Sequence, residues 1–148
     1  MDMTGYMTIN GTDIWTQYGA FLAELEPGGH TNMDALLRLP KAKDITTVDF
    51  RERTGVELPA DPAVKLSSIE RTLQFWLSAA TASVRLQRYR ELLTLLTSGK
   101  LEVAVKDYRT YSLVYLDMPT DPGWYADCSG QKFGVLFSVK FLEAQPSV

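Results

Sequence analysis

The chain has 148 residues, of which 45% are hydrophobic. One domain is expected over 1–148, since a chain of this size buries roughly 70% of its unfolded surface; disorder and fibrous repeats are excluded by the ordinary composition. Lys and Arg number 15 against 18 Asp and Glu, a formal net charge of −3, which argues against a dedicated nucleic-acid binder with its basic excess or stripe.

Elements follow in chain order. Tyr6 to Ile9 reads as a short strand, and Asn10-Gly11 as a hairpin turn, because both residues accept positive φ. Asp13 to Gly19 reads as a second strand ending at the glycine, and Ala20 to Leu25 either continues extended or forms one helical turn. Pro27-Gly28-Gly29 closes this region. Met33 to Pro40 suits a short helix or a strand, stopped by Pro40. Ile45 to Phe50 has the β-branched alternation of a short strand. Residues 54–68, TGVELPADPAVKLSS, form a long loop, either a surface arm reaching a neighbouring subunit or a disordered connector.

The second half is more regular. Ile69, Arg71, Leu73, Phe75 and Leu77 share one strand face, with Glu70, Thr72, Gln74 and Trp76 on the other. The period then changes: Leu86, Tyr89, Leu92, Leu93 and Leu96 form the apolar stripe of an amphipathic helix over about 81–98, capped by Thr81 or Ser83 and ended by Gly99. Three strands follow. Leu101, Val103 and Val105 alternate in the first, and Tyr111, Leu113 and Tyr115 in the second. Pro119 to Gly123 link these to the last strand, with Phe133, Val135, Phe137, Val139 and Phe141 on one face and a partly apolar second face. Such a strand lies either in the middle of a sheet or between subunits. The class is α+β, mainly β: an antiparallel β-sandwich or open barrel with the helix packed on it.

Tests for chemistry return little. Cys128 is the only cysteine and His30 the only histidine. No intrachain disulfide is possible, so an intracellular folding environment is expected, and His30, in the turn-like Glu26-Pro27-Gly28-Gly29-His30, reads as solvated rather than as the base of a thiol dyad. Zinc is not expected, Asp121 and Asp127 flank a loop without a calcium motif, and phosphate-loop, dinucleotide and nucleophile-elbow motifs are missing. Acid pairs such as Glu24 with Glu26, or Asp44 with Asp49, read as solvated. Arg85, Arg88 and Arg90 read as the solvent face of the helix, Arg88 with Glu91 as an intrahelical partner, rather than as a basic groove beside Tyr108, Tyr111, Tyr115, Trp124 and Tyr125. No enzyme, cofactor or metal is expected. The first ten residues lack a signal-peptide pattern, and no apolar run reaches membrane-span length.

Three stretches carry a resemblance. MTINGTDIWTQYGAFL (7–22), TVDFRERTGVEL (47–58) and SIERTLQFWLSAATASVRLQRYRELLTLLTSGKLEVAV (68–105) together resemble the N-terminal ring domain of the distal tail protein of long-tailed phages, related to tail-tube proteins. The resemblance implies a structural subunit of a phage or prophage tail: a homo-oligomeric ring, usually a hexamer, joining tail tube to baseplate hub. It would be made in the bacterial host cytoplasm and reside in the virion tail, with DNA passing its lumen without specific contact. Many such proteins carry a second domain with adhesion machinery; as the chain ends at Val148, tube-to-tip connection is expected rather than carbohydrate binding. Within that reading, a tube subunit or tail terminator is the nearest confusion. Interface candidates are Phe133, Val135, Phe137, Val139 and Phe141 of the last strand, with Val56 and Leu58 of the loop. The competing reading is a small monomeric β-barrel binding domain for an apolar ligand or peptide.

Overall fold

The computed structural model describes residues 2–24, 26–44, 47–49, 51–58, 60 and 63–147. Strand β1 (Met7–Ile9) turns through Asn10 and Gly11, with φ of 52° and 81°, into β2 (Thr12–Asp13). These angles fit a primed hairpin turn, as expected.

The second strand does not continue to Gly19. The Asp13 carboxylate accepts the Trp15 N–H at 3.1 Å and starts α1 (Ile14–Tyr18), and Gly19, in the left-handed region at φ 64°, ends it. A Cβ at Gly19 would stand 2.7 Å from the Ser78 carbonyl oxygen, so the turn needs glycine for both angle and space. The chain leaves this turn as β3 (Ala20–Leu22).

Of the two readings of Met33 to Pro40 the helix is found, as α2 (Thr31–Leu37). Its N-terminus is capped from a distance: the Glu24 carboxylate accepts from the Thr31 and Asn32 N–H groups at 3.0 and 2.8 Å. Glu24 is therefore a cap and not a solvated acid. Buried Asn32 then acts like a piece of strand. Its amide donates to the carbonyls of Ala23 and Gln74 and accepts from the Gln74 N–H at 2.7 Å.

The remaining elements are β4 (Ile69–Ala79), α3 (Ala82–Leu96), β5 (Lys100–Val105), β6 (Thr110–Asp117), β7 (Gly123–Ala126) and β8 (Phe133–Glu143). Among the described residues there are thus three helices, of which α3 is the expected one and α2 one of two open readings, and β7 begins where the expected Pro119–Gly123 link ends. α1 and α2 are too short to show a helical period, and β7 has only four residues. The expected strand at 45–50 rests largely on Ile45, Thr46 and Phe50, which lie outside the described residues; Val48 makes an isolated bridge to Glu57.

The strands form one antiparallel sheet of eight, in the order β2-β1-β5-β6-β8-β4-β3, with β7 also paired to β8. Met7 and Ile9 near one end of that order share a core with Ala20 at the other, so the sheet curls into an open barrel. Tyr89, Leu92 and Leu96 of α3 fill the curl. Leu86 of the expected stripe is 49% exposed, because it lies a turn before the helix meets the core. The class read from the sequence, α+β and mainly β, is the class of the structure.

β8 is an interior strand. It pairs with β4 along its whole length, from Ile69↔Glu143 to Ala79↔Phe133, and on its other side with β6 and β7. Phe75 of β4 stacks on Phe137 at 5.4 Å between centroids and meets Phe141 edge-on at 6.5 Å.

One inward position breaks the apolar pattern. The Arg71 side chain is 1% exposed, and its guanidinium donates to Glu143 at 2.9 and 3.2 Å. A third nitrogen donates to the carbonyls of Ala35, Leu36 and Arg38 at 2.5, 3.1 and 3.1 Å, which are the orphan acceptors at the end of α2. Arg109 adds a bidentate grip on Glu143 at 2.8 and 2.9 Å and lies 4.0 Å over the Tyr111 ring, whose hydroxyl donates to Leu36. Burial pushes the Glu143 carboxyl up, but hydrogen bonds from Arg109 and Arg71 and their charges outweigh it and hold the group below its ordinary value.

Three outcomes are expected in urea unfolding. Phe75→Ala should cost about 3–5 kcal/mol, whereas Leu86→Ser should stay within about 0.5 kcal/mol. Glu143→Gln should cost roughly 3–5 kcal/mol at neutral pH, since it leaves two guanidinium groups without their counter-charge. The carboxyl's folded pKa is depressed, so its contribution is complete above the unfolded value and is lost as pH falls through the folded one. The gap between this variant and the native chain should accordingly close only under strong acid.

Candidate interaction surface

Two surfaces stand out, an arm and an aromatic face. Among the described residues from Arg38 to Ser68 there is no helix or strand, so the loop expected at 54–68 is the returning half of a longer excursion. Its neck is held by the Ser67 N–H to the Lys41 carbonyl and the Lys43 N–H to the Lys65 carbonyl, both 2.7 Å. Further out, Val48 and Glu57 exchange two backbone hydrogen bonds at 2.9 and 2.6 Å, and Arg53 pairs with Glu57.

Among the described residues the arm is thus a narrow ribbon with hydrogen bonds between its two legs. Every described residue from 43 to 65 is exposed, and Val48, Val56, Leu58 and Val64 are 48 to 61% exposed. A two-stranded ribbon is marginal in water on its own, and exposed apolar side chains on it lose nothing by finding a cover. Its root is firm, because Arg71 holds the Arg38 carbonyl on one side and follows Ser68 closely on the other.

The aromatic face is the outside of the sheet where β3, β4, β8 and β7 meet. Cross-strand register puts Phe21 beside Trp76, Trp76 beside Leu136, and Tyr125 beside Gly134. The Trp76 indole lies against Gly134: a Cβ there would come within 2.1 Å of the ring. Gly134 in a strand is thus explained by close approach of the aromatic. Tyr125, 52% exposed, stands 5.7 Å from Trp76 between ring centroids.

Two open grooves share Trp76 and Tyr125. The larger, about 800 Å³, runs past Phe133 and Gly134 and is rimmed by Arg88 and Lys132; the smaller, about 610 Å³, runs past Phe21 and Leu136. Arg85 and Arg88 are not a solvated basic face. Arg85 lies over Trp124 and Phe133 at 5.0 and 5.2 Å and donates to the carbonyls of Tyr125 and Gly134, while Arg88 donates to the Ser78 carbonyl. Glu91 takes its hydrogen bond from Gln87 instead.

The interface candidates divide. Val135, Phe137, Val139 and Phe141 are at most 1% exposed, sealed in the chain's own core, and so cannot present a surface to another subunit. The two apolar faces of β8 arise from its central place in the sheet, with Leu136 outward on the aromatic face. Phe133 is half-buried under Arg85. Val56 and Leu58 remain available on the arm. Tyr125 belongs to the aromatic group weighed from the sequence, whereas Phe21 and Trp76 do not; Gly134 inside an apolar strand is the signal of close approach that points to them.

Other candidates for chemistry resolve locally. His30 hydrogen-bonds Asp34 at 2.8 Å, which raises its pKa, and Cys128 is exposed in the β7–β8 turn. The Asp127 carboxylate accepts from the Ser129 hydroxyl and from the backbone N–H groups of Gln131 and Lys132; these bonds lower its pKa. Among the described residues no three His, Cys, Asp or Glu cluster as metal ligands, and no helix is long and apolar enough to cross a membrane.

No protein-family model matches the chain, and no curated protein does. Among solved structures, the chain is similar to Dit (gp 19.1) of SPP1, described as a paradigm of the hub adsorption apparatus in phages infecting Gram-positive hosts. The identity is 15% and the TM-score 0.46, over 91% of this chain and 48% of that one. The chain thus spans about half the length of the structure it matches, and a likeness this distant assigns it neither a fold nor a role.

Proposed function

We propose that this chain is a non-catalytic structural protein of a phage or prophage tail, a ring-forming subunit at the tail tip that joins the tail tube to the baseplate hub. Its place would be the virion tail, after synthesis in the host cytoplasm. The observation that carries this reading is the arm. A firm body with a rigidly rooted ribbon, apolar side chains outward, has the form of a subunit that completes itself on a neighbour. The residues at 7–22, 47–58 and 68–105 that resemble distal tail proteins support the same reading, and the middle stretch falls on the arm.

The second reading, a monomeric domain for an apolar ligand or peptide, is favoured by the two grooves, whose sizes lie in the range of small-molecule sites. They lie outside the sheet, while the inside of the curl is occupied by the core.

Light scattering behind a sizing column, over a range of concentrations, separates the two. The native chain should run as a discrete oligomer, with six subunits the first expectation. A variant with residues 43–65 replaced by a short Gly-Ser link should be monomeric and retain its melting temperature to within roughly 4 °C, because every described residue removed is exposed. An arm-less chain that assembles as well as the native one would sink the proposal.

A further inference from the structure

The ring reading leaves open where the arm lands, and we propose that the arm of one copy is received by the aromatic outer face of the next copy. This inference rests on that reading and adds the receiving surface, centred on Trp76 and Tyr125.

The arm and the face have complementary needs. The arm offers Val48, Val56 and Leu58 at about half exposure, and the face offers half-exposed Tyr125 with Trp76, Phe21 and Leu136 around it. Among the described residues, none of the arm lines either groove, and Trp76 and Tyr125 stay open to a partner. Trp76 and Tyr125 form the ridge between the two grooves, and a narrow ribbon can straddle such a ridge with side chains on both sides.

Charge agrees with this pairing. The tip from 47 to 58 carries Asp49, Glu52 and Glu57 against Arg51 and Arg53, a net negative charge. The larger groove is lined by Arg88 and Lys132 against Asp127, a net positive one. Opposite signs at the two surfaces fix orientation more than they add affinity.

Cys128 supplies the test. It is exposed and adjoins Asp127, a lining residue of the larger groove. A Val56→Cys chain carries one thiol on its arm tip and the native one at the groove. Treated with a short bis-maleimide, it should give a ladder of covalent multimers, whereas the native chain and Val56→Cys with Cys128→Ser, with one thiol each, should stop at dimer. Tyr125→Glu should weaken assembly at least about tenfold, as loss of a central aromatic anchor does, without changing the circular dichroism spectrum.

A discrete oligomer without the ladder, insensitive to Tyr125→Glu, would overturn the landing site while leaving the ring in place. The aromatic face would then belong to another tail protein or to an apolar ligand. A chain that stays monomeric at every concentration, with and without tail-tube subunits, would overturn the ring reading and this inference together.

Discussion

The guanidinium of Arg71 is the point on which the rest of the structure turns. A buried cation needs an opposite charge and a partner for every N–H, and each requirement recruits a different segment. Glu143 at the end of β8 supplies the charge, Arg109 from the stretch before β6 grips the same carboxylate, and the open carbonyls of α2 take the remaining donor. Strand pairing, helix placement and the start of the arm are thereby set by one cluster. An apolar residue at this position would pack the sheet as well, but it would leave the end of α2 and the neck of the arm unheld.

That arrangement divides the molecule into a body and an attachment. In the body, backbone groups are paired in the sheet and apolar side chains meet in one core. Beyond the neck, the ribbon contributes little to that core and exposes most of what it has. The cost of ordering such a ribbon is offset only where its apolar side chains leave water. The aromatic face is the exposed apolar feature of the body, where rings lie on the outside of the sheet because Gly134 makes room for Trp76.

Much of this was visible in the residues themselves. The alternation from Ile69 to Leu77, the helical spacing of Tyr89, Leu92 and Leu96, and the alternation from Phe133 to Phe141 depend only on backbone period, and those elements stand where the pattern puts them. Arg71 on an otherwise apolar face was a mark of something buried and paired. Its partner lies 72 positions away, and nothing local in the sequence points to it. The same holds for the Glu24 cap on α2 and for Asn32 standing in as strand, both settled by contacts between segments.

The sequence by itself determined the class, the period of each long element, the Asn10-Gly11 turn and the presence of a long excursion before β4. It did so because hydrophobic period, caps and turn residues act over a few neighbouring positions. Only the tertiary structure decided that β8 is interior rather than an interface, that Arg85 and Arg88 brace the fold instead of facing solvent, and that Phe21, Trp76 and Tyr125 share one outer face. These depend on which strands pair and in what register, and pairing energy comes from contacts between residues far apart in the chain.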